Sequence, residues 1–175
     1  MIRTFSIAAT AVLILSGMHT ASAAPPDLKA PAPVIFLADN LDENQNLGFC
    51  IDTVGRGLSD RLHAHSCKPQ GGDVQFLFLA ATGQIKSATF ENLCAELLAS
   101  ATDGVTLGLL PCSDSPLQAF TYDPAKQEFQ PQDTSGLCLA SPGETRSAGP
   151  FVSRDLALAN CASTPAAQKQ WVIRE

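Results

Sequence analysis

The chain has 175 residues, of which 45% are hydrophobic, 16% charged and 6% aromatic. That apolar fraction excludes a disordered chain, and the length leaves no room for a multidomain enzyme. With 17 acidic against 11 basic residues and a formal net charge of −6, the surface repels phosphate backbones and anionic lipid, so neither nucleic acid binding nor membrane insertion is expected.

Residues 1–23 read as a secretory signal peptide: Arg3, an apolar run over 7–15, then Ala21-Ser22-Ala23 ahead of Ala24. No cysteine precedes Cys50, so a lipid anchor at the cleavage point is not expected. No later apolar run approaches the ~18 residues of a membrane span. The product is expected to be secreted or periplasmic. Residues 24–33 are rich in proline and are expected to form an extended spacer, with the folded domain over 34–175. Val34-Ile35-Phe36-Leu37 reads as the first strand, and 40–46 as an acidic, amide-rich loop.

Six cysteines follow: Cys50, Cys67, Cys94, Cys112, Cys138 and Cys161. An even number in an exported chain argues for disulfides, although spacing alone does not choose among the possible pairings. Their positions narrow the choice. The first, third and fifth recur at steps of 44 and 44, and the second, fourth and sixth at 45 and 49. Two interleaved series of one period imply a repeat carrying one pair each, and the economical pairing is Cys50–Cys67, Cys94–Cys112 and Cys138–Cys161. The neighbours support a triplication. Five before each second cysteine stand Leu62, Leu107 and Leu156, and three before it Ala64, Leu109 and Leu158, which share one strand face. Beyond it lie Gln75-Phe76-Leu77, Gln118-Ala119-Phe120 and Lys169-Gln170-Trp171, each read with a large apolar third residue.

A period near 44 also occurs in propellers and helical arrays, but three copies are too few for a propeller, and the alternating runs broken by Gly55, Gly71, Gly83 and Asp103-Gly104 are strand-like. Residues 95–101 leave room for a helical turn at most. Trp171-Val172-Ile173 reads as a last strand that pairs back to close the fold. The expected class is all-β: three four-stranded units around a pseudo-threefold axis, a β-trefoil, which leaves no open sheet edges.

These residues resemble the ricin-type lectin family, whose trefoil repeats carry a Cys-x-Asp opening, a second cysteine and a Gln-x-Trp motif. Cys50-Ile51-Asp52, Cys67, Gln75-Phe76-Leu77 and the turn Gly83-Gln84-Ile85-Lys86-Ser87 are similar to one such repeat. Only Trp171 keeps the tryptophan, and Lys169 stands where the last copy would have glutamine. The resemblance implies a sugar site in which an Asp accepts hydroxyls, an aromatic stacks on the ring, and polar residues add contacts. Repeat 1 matches in part, with Asp52, His63, His65 and Gln75, while Val74 replaces an asparagine. Repeat 2 offers Glu96, Gly108 and Leu110, and repeat 3 Ala140, Ala157 and Ala159, so a single site in repeat 1 is expected.

Each residue also has a structural reading. Asp52 begins a turn and can bond backbone amides, Gln75 can support the fold, and the histidines can be solvated side chains. His63 and His65 with Asp52 lack a secure third ligand, so no metal is expected. No nucleophile elbow, metalloprotease helix or phosphate loop is present. The expectation is therefore a non-enzymatic lectin without cofactor, binding a neutral glycan. The alternative is a degenerate trefoil that binds a protein partner as an accessory or inhibitor module.

Overall fold

A computed structural model describes residues 24–175; the expected signal peptide, residues 1–23, lies outside the described residues. Repeat 1 supplies β1 (Val34–Leu37), β2 (Phe49–Thr53), β3 (Leu62–Ser66) and β4 (Phe76–Leu79). Repeat 2 supplies β5 (Gln84–Ser87), β6 (Leu93–Leu97), β7 (Leu107–Pro111) and β8 (Phe120–Asp123). Repeat 3 supplies β9 (Glu128–Pro131), β10 (Leu137–Ala140), β11 (Arg146–Ala148), β12 (Phe151–Arg154), β13 (Ala157–Asn160) and β14 (Trp171–Arg174). Successive repeats are joined by the antiparallel pairs β4–β5 and β8–β9, and β14 pairs with β1 to close the ring. Within each repeat the cysteine-bearing strands form a hairpin: β2–β3, β6–β7 and β10–β13. This is the β-trefoil.

The shared strand face does what its periodicity implies. Leu62, Leu107, Leu156, Ala64, Leu109 and Leu158 are all 5% exposed or less and meet in one core with Phe76, Phe120 and Trp171. Burying each large apolar side chain contributes roughly 1.5–3 kcal/mol before entropy. The hairpins touch one another through Arg61 opposite Gly108 and Thr106 opposite Ala157. Cys50–Cys67, Cys94–Cys112 and Cys138–Cys161 are the disulfides, one per repeat, and no cysteine is free.

Four features depart from the sequence reading or extend it. Residues 95–101 hold no helical turn, because Cys94 to Leu97 pair along β7 and the chain then bends. The Pro-rich segment 24–33 lacks regular secondary structure yet lies against repeat 1. Ala30 is 2% exposed beside Val34, Val74 and the Cys50–Cys67 bridge, and Gln75 Nε2 donates to the Ala32 carbonyl at 2.8 Å. The longer cysteine spacing of repeat 3 is an inserted hairpin, β11–β12. Its second strand adds to β3, with Ser153 opposite His65 and Arg154 opposite Ala64.

The fourth is a register correction. Phe76, Phe120 and Trp171 each open a ring strand, opposite Ser87, Pro131 and Leu37. The core residue of repeat 1 is therefore Phe76, fully buried, and Leu77 is only partly buried. Counting back two residues places Val74, not Gln75, in the position of Gln118 and Lys169. Gln75 aligns instead with Ala119 and Gln170, and all three backbone carbonyls accept the equivalent amide, from Ala88, Gln132 and Ala38. Strand pairing decides burial, and matching the glutamine by letter displaced the motif by one residue.

Candidate functional site

The β2–β3 register sets Asp52 opposite His63 and Cys50 opposite His65, which brings three of the four expected site residues together. Asp52 is fully buried. Its Oδ2 lies 2.8 Å from Lys68 Nζ, 3.6 Å from His65 Nδ1 and 4.0 Å from His63 Nε2. The Lys68 ammonium also lies 2.7 Å from Asp73 Oδ1. Beyond the Lys68 contact neither Asp52 oxygen has a hydrogen-bond partner, and His63 Nε2 has none. Lys68 and Asp73 were not singled out in the sequence. The signal for Lys68 is its place directly after Cys67, since the Cys50–Cys67 bridge fixes where its side chain begins.

Burial dominates the protonation of this cluster. It raises the Asp52 carboxyl to about 7, against the opposing pull of the Lys68 hydrogen bond and charge. It lowers His63 to about 4, with the His65 and Lys68 charges adding to the effect, and it lowers His65 as well. For Lys68, burial acts to lower the pKa, but hydrogen bonds to Asp52 and Asp73 outweigh it and hold the ammonium above its ordinary value. Near neutrality the site therefore presents two neutral imidazoles and a fixed ammonium. They are not the solvated histidines of the structural reading: His65 is 6% exposed and His63 is partly buried.

The inserted hairpin completes the site. Phe151 meets the His65 ring edge-on at 5.8 Å, and Gly149 and Pro150 form the opposite wall of a cleft of about 350 Å³. Arg56, His63, His65 and Lys68 line its other side. Gln75 is not among the lining residues. Its Oε1 accepts from Gly72 N at 3.0 Å and its Nε2 holds the Pro-rich segment, so it serves the scaffold.

The ricin-type beta-trefoil lectin domain pattern matches residues 42–173. The chain belongs to that family. Among curated proteins none matches the sequence. Among solved structures, the β-trefoil lectin of the Vibrio vulnificus hemolysin/cytolysin, with N-acetyl-D-lactosamine bound, superposes with a TM-score of 0.58 at 13% identity, over 82% of this chain and 94% of that one. The hemolytic lectin CEL-III gives 0.58 at 20% identity, over 84% of this chain and 32% of its own. GalNAc-T7, solved with UDP, GalNAc and Mn2+, gives 0.53 at 18% identity, over 86% of this chain and 23% of its own. The chain thus spans nearly all of the first and less than a third of the other two. At these identities the likeness is one of fold, the β-trefoil.

Within the ricin-type frame the three repeats have diverged at the same positions. In repeat 2 the acid is Glu96, and Gln118 Nε2 donates to it at 2.6 Å. The stacking position there is Leu110, and Leu98 and the Asp60 carbonyl leave no room for a side chain at Gly108. In repeat 3 the acid is replaced by Ala140, which is fully buried, and Lys169 pairs with Glu128 at 2.8 Å. Only repeat 1 combines an acid with ring-bearing side chains at a cleft. A cation there would have to displace the Lys68 ammonium from Asp52. The one other cluster of donor atoms among the described residues, Glu128 with Cys138 and Cys161, has both sulfurs in a disulfide. No helix among the described residues is long and apolar enough to cross a membrane.

Proposed function

We propose that the protein is an exported, non-enzymatic carbohydrate-binding protein with one sugar site, the cleft of repeat 1. The observation that carries this reading is the pairing of His65 and Phe151 at a cleft beside His63, whose Nε2 is unpartnered. Two ring surfaces suit the apolar face of a pyranose, and neutral imidazole and ammonium groups suit its hydroxyls. Asp52 lies too deep to take the direct acceptor role that the family resemblance implies. In this reading it is a positioning residue that holds the Lys68 ammonium in place. The acids Asp52 and Glu96, the only pair worth weighing for glycoside cleavage, stand in different repeats and are each tied to an internal partner, which favours binding over catalysis. Three disulfides in the chain support an oxidising compartment.

A glycan array probed with oxidised protein tests the assignment. One shallow site is expected to hold a monosaccharide with a Kd on the order of 1 mM, about −4 kcal/mol. His65→Ala is expected to remove that binding while the thermal transition persists. Undiminished binding by this variant would move the site elsewhere.

Repeat 2 favours a second reading, a protein-interaction module. Leu98 is 49% exposed and fills the space where a side chain at Gly108 would stand, while Leu110 occupies the stacking position, so this face suits a dry protein contact better than a sugar. Retention on a glycan matrix that free sugar competes away supports the lectin. A specific protein partner recovered with no glycan signal supports the module.

A further inference from the structure

The cleft of repeat 1 does not end at its own repeat. Beyond His63 lies a second hollow of about 460 Å³ on the cap of the trefoil, where the three hairpins converge. Its floor carries Leu62, Leu107 and Leu156, the same position of each repeat, and its rim carries Arg61, Arg146 and Asp155. Gly55, His63 and Ala148 line both spaces, so the two form one groove with His63 at its waist. Either hollow alone sits near the lower end of the ~300–1,000 Å³ of ordinary ligand sites. Together they have room for more than one sugar ring.

The charge of this groove opposes that of the molecule. Arg56, Arg61, Lys68 and Arg146 line it, four of the 11 basic residues of the chain, while of the 17 acidic residues only Asp155 does. Asp155 is paired with Arg146 at 2.7 Å, and Lys68 is held from beneath by Asp52 and Asp73. Arg56 and Arg61 are exposed and have no acidic partner within ion-pair distance among the described residues. Two free guanidinium groups on one groove of an acidic protein are poorly matched to a neutral ligand. They match carboxylate or sulfate oxygens, which accept their paired N–H donors.

We propose that the ligand of this site is an acidic oligosaccharide, running from the His65–Phe151 cleft past His63 into the cap hollow, with its carboxylate or sulfate groups on Arg56 and Arg61. This rests on the carbohydrate-binding reading above and replaces the neutral glycan expected from composition. Net charge describes the whole surface, whereas binding is decided by the few charges that line the groove.

The test is calorimetric titration of the oxidised full chain with three matched pairs: tetragalacturonate and its methyl ester, sulfated and unsulfated galactotetraose, and sialyllactose and lactose. The acidic member of at least one pair is expected to bind about tenfold more tightly than its neutral counterpart, with the preference shrinking as salt is raised. Which pair responds separates carboxylate from sulfate. Arg61→Gln and Arg56→Gln are each expected to reduce the preference while leaving the thermal transition in place. If acidic and neutral members bind alike, or if both variants keep the full preference, the acidic assignment falls and the lectin reading stands. If no member of the panel binds, the lectin reading falls with it.

Discussion

Lys68 Nζ stands 2.8 Å from Asp52 Oδ2, so the acid at the heart of repeat 1 is answered by an ammonium, whereas its counterpart Glu96 in repeat 2 is answered by the Gln118 amide. The register explains the difference. Val74 occupies the Gln118 position and offers no donor, and Lys68 supplies one from the other side of the disulfide. Lys68→Met removes the cation and leaves the carboxylate buried. Without the ammonium the Asp52 pKa rises further, so the carboxyl takes up a proton rather than staying charged. Asp52 titrates at about 7 with Lys68 in place, so at pH 8 the pH-dependent part of the loss is bounded at about 1.4 kcal/mol, and it is expected to vanish at pH 5, where the carboxyl already carries a proton. Urea denaturation at the two pH values measures it; equal losses at both would mean that the pair is not what holds the site.

Asp52 and the two histidines bias stability in opposite directions over one pH window. The folded pKa of Asp52, about 7, lies above its reference of 3.8. Its contribution is therefore full below pH ~4 and is lost as pH rises through ~7. His63 is depressed from 6.5 to about 4, and His65 is shifted the same way, so their contributions are full above pH ~6.5 and are lost as pH falls. Lys68 and Asp73 face the same cluster, with Arg146 and Glu43 as weaker charges nearby. Asp52→Asn is expected to give stability that rises from pH 4 to 6.5. The double variant His63→Gln, His65→Gln is expected to give stability that falls from pH 4 to 7. Each slope is bounded by ~1.4 kcal/mol per pH unit per proton and reduced by partial exposure. Chemical denaturation across pH reads both; slopes of the same sign in the two variants would contradict the assignment.

The cysteine series and the apolar positions before each second cysteine made the trefoil legible, because a disulfide and a buried strand face constrain sequence at fixed offsets. The ring closure was legible too: Val34–Leu37 and Trp171–Arg174 pair as the first and last strands. What escaped depends on three-dimensional neighbours. The inserted β11–β12 hairpin showed only as a wider cysteine spacing in repeat 3, and nothing local announces that Phe151 comes to lie against His65. Nothing local marks Lys68, which reaches Asp52 only because the Cys50–Cys67 bridge sets where its side chain begins. Gln75 misled because a one-residue shift preserves letters while exchanging what faces the core.

Gly83 closes the turn between β4 and β5 with φ near +72°, and a Cβ there would lie 2.5 Å from the Phe120 carbonyl oxygen. The Gly83 carbonyl accepts the Phe120 amide at 2.8 Å, so the crowded partner is backbone already fixed by pairing. Neither the strain nor the clash can be relieved by a rotamer change. Gly83→Ala is expected to destabilise the fold by about 1–3 kcal/mol. Gln127 adopts φ +59 at the corresponding turn between β8 and β9, where its carbonyl accepts the Trp171 amide. Gln127→Gly is expected to be neutral or stabilising there, because glycine relieves the left-handed strain at some cost in unfolded-state entropy. Thermal melts of the two variants compare a clash-limited turn with a strain-limited one.

Phe151 separates binding from folding more cleanly than Asp52 can. It is partly exposed on the inserted hairpin, outside the main core, and its contact with the site is the edge-on approach to His65. The hairpin is held independently of it: Ser153 and Arg154 pair with β3, and the Val152 amide donates to Ser66 Oγ at 3.1 Å. Phe151→Ala is therefore expected to leave the thermal transition nearly unchanged, while weakening the ligand of the repeat 1 cleft by about tenfold through the lost ring surface. Phe151→Tyr keeps that surface and is expected to retain most of the affinity. Parallel titration and melting of the three proteins decides the point, and an alanine variant that binds as tightly as the parent would remove the hairpin from the site.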